Sequence, residues 1–224
     1  MTYVSLRLIT LPPDRIAECA AIAAQLGQAV AGLIASSSSW VAPILEGAAI
    51  NAGHIVWRLE SSSEDAALVV ERDPVWLRDV QPLLEDVQVT TIGYHLTRAP
   101  VRTAGAGIWR ALIFRVLPEG FPTAAAALES HLLLMPKYIP AIRSWALSPV
   151  TSSSGSQPFT HVWEQEFDDL TGLTEDYMVH PLHWGLVDAW FDAECPNYMV
   201  DPRLIQVVGR IDRTLIIPPA SDTN

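Results

Sequence analysis

Apolar, β-branched residues crowd into short runs along this chain, and longer stretches with helical spacing separate them. YVSLRLIT (3–10) predicts a first strand. Ile16, Ala20, Ala23, Val30 and Ile34 recur at helical intervals, so a helix is expected behind Asp14, which can cap it, to about Ile34. SSSS (36–39) reads as a loop, Val41–Glu46 as a short strand and His54–Glu60 as a third. A helix over Glu64–Glu71, a helical piece from Pro74 and a strand over Val87–Leu96 complete the first half. The second half repeats the order. Its strands are Ile108–Leu117, Ile142–Val150, Phe159–Phe167 and Arg203–Ile211; its helices are Pro122–Leu134 and Asp168–Phe191, the latter broken at Pro181. Each half therefore reads β-α-β-β-α-β, the ferredoxin-like unit.

The two halves also align with each other. His54 and His161 are 107 positions apart, as are Pro74 and Pro181. SLRLITLPP (5–13) parallels ALIFRVLPE (111–119) at a spacing of 106, and QVTTIGYHL (88–96) parallels LIQVVGRID (204–212) at 116. Four matches in one order point to a duplication. The second copy carries an extra loop, DAECPNYMVDP (192–202). The expected organisation is a first repeat over 1–102, a second over 107–213 and a tail over 214–224, with TAGAG (103–107) as the join and SSSGS (152–156) as a flexible hairpin tip. A single unit leaves one sheet face bare. The expected fold is α+β, with the two bare faces packed together as an intramolecular α/β barrel.

Composition narrows the partners. Of 224 residues 50% are hydrophobic, ample for a core, and the net charge of −11 disfavours nucleic acid and anionic membranes. Two cysteines, Cys19 and Cys195, make no disulfide framework. With no basic, apolar leader and no long apolar run, the expectation is a cytoplasmic protein with no membrane partner.

Candidate chemistry concentrates in DYMVHPLHWGL (176–186). Tyr177, His180 and His183 follow one another at i, i+3 and can share a helical face, with Pro181 disturbing the register. A neutral imidazole is a base near pH 7, and a tyrosine hydroxyl can donate to an oxygen that gains charge. The first copy has Val70, Asp73 and Trp76 at the matching positions, so a single active site would belong to the second copy.

THVWEQEF (160–167) followed by DYMVHPLH (176–183) resembles the stress-responsive dimeric α/β barrel (Dabb) family, over about Ile108–Asp212. The family includes stress proteins and a cofactor-free polyketide cyclase; related barrels oxidise quinol-like substrates. The resemblance implies catalytic roles for Tyr177 and His183, with His180 as a further shared histidine. Two positions depart from the cyclase: Arg110 stands in place of a pocket histidine, and Leu132, beside His131, in place of a second pocket tyrosine. Arg110 can clamp a carboxylate. Trp163 and Trp184 can wall an aromatic pocket. Glu164 and Glu166 share a side of their strand and can be weighed as metal ligands with the histidines, but more often such residues form ion pairs.

The functional expectation is a cofactor-independent enzyme, without metal, acting on a small aromatic, keto or polyketide-like molecule as a cyclase, lyase or isomerase. Two alternatives stand beside it: a non-catalytic stress-response or ligand-binding barrel, and a cofactor-free quinone-forming monooxygenase. A homodimer is compatible with either.

Overall fold

Strand β1 (Tyr3–Thr10) is buried over all but its last residue because it sits in the middle of a sheet. It pairs antiparallel with β3 (Ile55–Ser61) on one side and β4 (Gln88–His95) on the other, and β2 (Ser38–Pro43) pairs with the outer edge of β3. The order β2-β3-β1-β4 is that of a ferredoxin-like sheet. Helix α1 (Cys19–Ala31) lays Ile22, Ala23, Leu26 and Val30 against Ile9, Leu11, Ile55, Trp57 and Leu59. Helix α2 (Glu64–Val69) starts at Ser63, whose side chain accepts the Ala66 N–H.

This computed structural model describes residues 2–31, 33, 38–97, 107–155 and 157–216. It divides into two units, the first comprising Met1–Leu96 with Pro149–Pro158, the second Thr97–Ser148 with Phe159–Asn224. In the first unit, Val150, Ser152 and Ser153 pair with Tyr94, Gly93 and Ile92 along the outer edge of β4. Gly93 is required there, since a Cβ would collide with the Tyr3 hydroxyl.

The second unit repeats the arrangement. β5 (Gly107–Phe114) lies between β7 (His161–Phe167) and β8 (Ile205–Ile211), with β6 (Ser144–Ser153) beyond β7. Helix α3 (Thr123–Tyr138) buries Ala125, Leu128, Leu132 and Met135. β7 is buried at every position, so both of its faces are covered.

Several local expectations change. Asp14 caps nothing: Pro13–Glu18 is a 3₁₀ turn and α1 begins at Cys19. β2 starts at Ser38, so two of the expected loop serines are in a strand. The expected helix over 168–191 is a series of short pieces, with π-type winding at Gly172–Tyr177 and His183–Val187 and a 3₁₀ turn at Asp188–Trp190. Ile34, most of TAGAG (103–107), Ser156 and residues 217–224 of the tail lie outside the described residues.

The two units match element for element, but the strand correspondence differs by one residue from the expected spacing of 107. The His54 N–H donates to the Ile9 carbonyl, and its Nδ1 accepts the Leu11 N–H at 3.0 Å. In the second unit those two bonds are made by Thr160, with Phe114 and with Val116 at 2.9 Å. Thr160, not His161, is therefore the counterpart of His54. Trp57 corresponds to Trp163, and Arg7 to Leu112. A one-residue slip matters because it exchanges the two faces of a strand. The Pro74–Pro181 match stands: Trp76–Val80 and His183–Val187 are corresponding π turns.

Candidate functional site

In the second unit, alternation along β5 and β7 places Arg110, Leu112, Trp163 and Gln165 on the face that the helical segments cover. The π-type turn after β7 delivers Tyr177 onto that face, where its ring meets Phe167 edge-on at 5.7 Å between centroids. His183 begins the next π-type turn and packs edge-on against Tyr177 at 4.6 Å. Arg110 also meets Tyr177, its guanidinium carbon 5.1 Å from the ring centroid. Three side chains singled out in the sequence thus meet as Arg110, Tyr177 and His183, only 2%, 1% and 7% exposed.

Arg110 is held by neutral oxygens. Its Nε and Nη2 donate to Gln206 Oε1 at 2.9 and 2.7 Å, and Nη1 donates to Gln165 Oε1 at 2.5 Å and to the Tyr177 hydroxyl at 3.3 Å. Among the described residues no carboxylate pairs with it. Burying an unpaired charge is costly, so this is a site with a positive potential to offer. Tyr177 accepts from Arg110 through its oxygen, which leaves the O–H proton free to be donated.

His183 Nδ1 lies 3.4 Å from Asp188 Oδ2 but is not aligned with it as a hydrogen bond. Asp188 comes five residues later, and i→i+5 winding is what brings it back to the ring. Around this cluster, His183 Nδ1, Trp163 Nε1 and Gln165 Nε2 are buried with no hydrogen-bond partner among the described residues, as are Arg7 Nη1, His95 Nδ1 and Gln157 Nε2 elsewhere. The Gln165 orientation is fixed chemically, because an arginine only donates and so must face the amide oxygen.

The remaining candidates are placed elsewhere. Trp184 is 62% exposed, its side chain largely in solvent. His180 turns its Nδ1 to the Leu182 N–H at 3.2 Å, a local turn contact. His131 accepts from Trp190 Nε1 at 2.9 Å, and Leu132 beside it is core. His161, stacked on Phe114 at 5.0 Å, is bonded through both ring nitrogens, to Thr160 at 2.7 Å and Glu129 at 3.0 Å. Glu164 and Glu166 fall on the opposite face of β7 from Trp163 and Gln165. Glu164 accepts from Trp109 Nε1 at 3.0 Å; Glu166 accepts from Ser144, Thr214 at 2.6 Å, and the N–H groups of Leu215 and Ile216 at 2.6 and 3.1 Å. Neither meets His183, and among the described residues no three metal-ligating side chains gather. Gln165, Gln206 and Asp188 were missed by sequence reasoning. Only Gln165, two residues from Trp163 on one strand face, carried a usable signal.

Both cysteines are free thiols with raised pKa values. Burial comes first for each, reinforced by Glu46 at Cys19 and by Asp192 at Cys195. No described helix is long and apolar enough to cross a membrane.

Comparison with known proteins follows the same division. Residues 108–211 match the model of the stress responsive A/B barrel domain. No curated protein matches the chain. Among solved structures, an anthrone oxidase-like protein is similar at 11% identity and a TM-score of 0.64, covering 95% of this chain and 92% of its own. A candidate monooxygenase from Lactobacillus acidophilus is similar at 8% identity and 0.56, covering 95% and 93%. A variant chlorite dismutase from Candidatus Nitrospira defluvii has 8% identity and 0.56, covering 93% and 90%. At these identities the likeness concerns the fold, and it extends through both units.

Proposed function

We propose, for a chain that belongs to the stress responsive A/B barrel family through its second half, a cofactor-independent enzyme that removes a proton from a small aromatic or keto substrate. His183 is the base. Tyr177 donates its O–H to the substrate oxygen on which charge develops, and Arg110 stands behind that hydroxyl to stabilise the resulting enolate or phenolate. Asp188 stabilises the imidazolium that forms. The observation that carries this reading is a buried histidine whose Nδ1 has no hydrogen-bond partner among the described residues, beside a tyrosine whose oxygen accepts from Arg110 and whose proton meets no acceptor among them. A histidine kept only for structure has its nitrogens satisfied, as His161 does.

The enolate has two natural fates. Attack on a carbonyl of the same molecule, or loss of a leaving group, gives cyclase, isomerase or lyase chemistry. Reaction with dioxygen gives a quinone-forming monooxygenase, as when an anthrone and O₂ yield an anthraquinone and water. The second fate draws support from the names of two neighbours, an anthrone oxidase-like protein and a candidate monooxygenase. Both begin with the same proton removal, so that step is the one to test. Deuterium exchange into an anthrone and a 1,3-diketone, followed by NMR in D₂O, should be accelerated by the protein, and His183→Ala should slow it by about 10²–10⁴-fold. Exchange unchanged by that substitution removes His183 as the base. An oxygen electrode run on the same anthrone separates the two fates.

A further inference from the structure

We infer that the substrate of this site already carries a carboxylate when it binds, and that Arg110 with Gln165 and Trp163 is the recognition element for it. The inference rests on the proposed active site and adds what kind of molecule it takes. A ligand that becomes anionic only during reaction would leave the guanidinium uncompensated at every other moment. The surrounding groups also have a consistent polarity. Among the described residues Gln165 Nε2 and Trp163 Nε1 are buried donors without acceptors, and Gln165 is bonded to the same guanidinium. Four bonds to three neutral oxygens occupy Arg110, leaving one of its five N–H groups for a ligand. The Tyr177 O–H is a further donor. Uncommitted donors therefore dominate this face, with the ring of His183 the exception. A group that accepts several hydrogen bonds and donates none answers that surplus, and the ionised carboxylate is such a group.

Nothing comparable occurs on the opposite face of β7, where Glu164 and Glu166 are themselves the acceptors and are bonded. The donor surplus is confined to the side that Tyr177 and His183 occupy. An aromatic acid fits it: the carboxylate engages Arg110, Gln165 or Trp163, and a ring carbonyl or phenol oxygen meets Tyr177 beside His183.

The test is equilibrium binding to the full chain by calorimetry, using 1-hydroxy-2-naphthoic acid and 3,5-dihydroxybenzoic acid, each against its own carboxamide. Each acid should bind about tenfold or more tightly than its amide. Arg110→Gln should abolish that preference and Arg110→Lys should retain most of it. Trp163→Phe and Gln165→Leu should each weaken the acid severalfold and leave the amide unchanged, which keeps the test decisive if Arg110→Gln does not fold. Equal affinity for acid and amide, or binding of none of the four, overturns the inference. His183→Ala should keep the acid preference. Loss of the proposed base in the exchange assay with that preference intact would sink the acid–base reading and uphold the carboxylate site.

Discussion

The two halves of this protein bury an arginine on the same strand face and treat it in opposite ways. In the first unit Arg7 lies between two indoles, 4.5 Å from the Trp57 ring centroid and 4.8 Å from that of Trp76, and pairs with Glu71 at 2.8 Å. Burial lowers its pKa, and Glu71 opposes the shift. In the second unit Trp76 is replaced by His183, Arg7 by Leu112, and the arginine is Arg110, which among the described residues meets neutral oxygens and a phenol ring and no carboxylate. One unit fills its helix–sheet interface with aromatic rings and supplies a counter-charge. The other leaves the charge open and sets a histidine beside it. Under the proposed function, the first unit carries stability and the second holds groups that a stable core would not keep.

Paired substitutions can break that contrast. The largest effect is expected at the matched π turns. His183→Phe should abolish the proton-exchange activity, a loss of about 10²–10⁴-fold, with a near-native melting temperature. Trp76→Ala should lower stability by about 3 kcal/mol or more and leave exchange intact in the fraction that remains folded, as urea titration with parallel activity would report. Next come the arginines. Replacing Arg110 and Gln165 together by Met and Leu removes an unpaired charge with its main partner, and should leave the free protein unchanged or stabilise it by about 1–2 kcal/mol. Arg7→Met loses two ring contacts and should destabilise by about 1–2 kcal/mol. If both variants destabilise equally, the distinction between a compensated and an open charge fails.

A smaller effect tests the register of the repeat. His54→Ala and Thr160→Val each strip the acceptor from one backbone N–H, of Leu11 and Val116 respectively, and should cost a similar amount, about 1 kcal/mol in chemical denaturation. The smallest concerns the thiols. Both Cys19 and Cys195 have raised pKa values, so each holds less thiolate at pH 8 than free cysteine and should react with a maleimide more slowly. Because a raised pKa keeps the thiol protonated to higher pH, the rate should still climb steeply from pH 8 to 9.

Much of this architecture was legible because strands and α-helices have distinct periods. Runs such as YVSLRLIT and QVTTIGYH fall where the alternation puts them. The order of elements in each half follows, as does the placement of Tyr177 and His183 in the second. The register of the repeat was misread because the eye paired His54 with His161. The adjacent Val56-Trp57 and Val162-Trp163 pairs give the spacing that the hydrogen bonds require. The segment after β7 escaped for a physical reason: π and 3₁₀ turns do not repeat every 3.6 residues, so neither the Asp188–His183 approach nor the outward turn of Trp184 could be read from α-helical spacing. The glutamines escaped for another. On a strand buried on both faces, alternation sorts Glu164 and Glu166 from Gln165 without saying which side holds the chemistry.

Strand β6 has a consequence for how such a protein can be taken apart. It starts in the second unit, and its far end, with the rest of Pro149–Pro158, belongs to the first. A gene fragment ending near residue 102 would express β4 with its outer edge bare where Val150, Ser152 and Ser153 normally pair, an invitation to intermolecular strand addition. The complementary fragment would carry that hairpin tip without the β4 edge it pairs with. A chain that lends a segment of one unit to the other cannot be cut at the join into two self-contained halves.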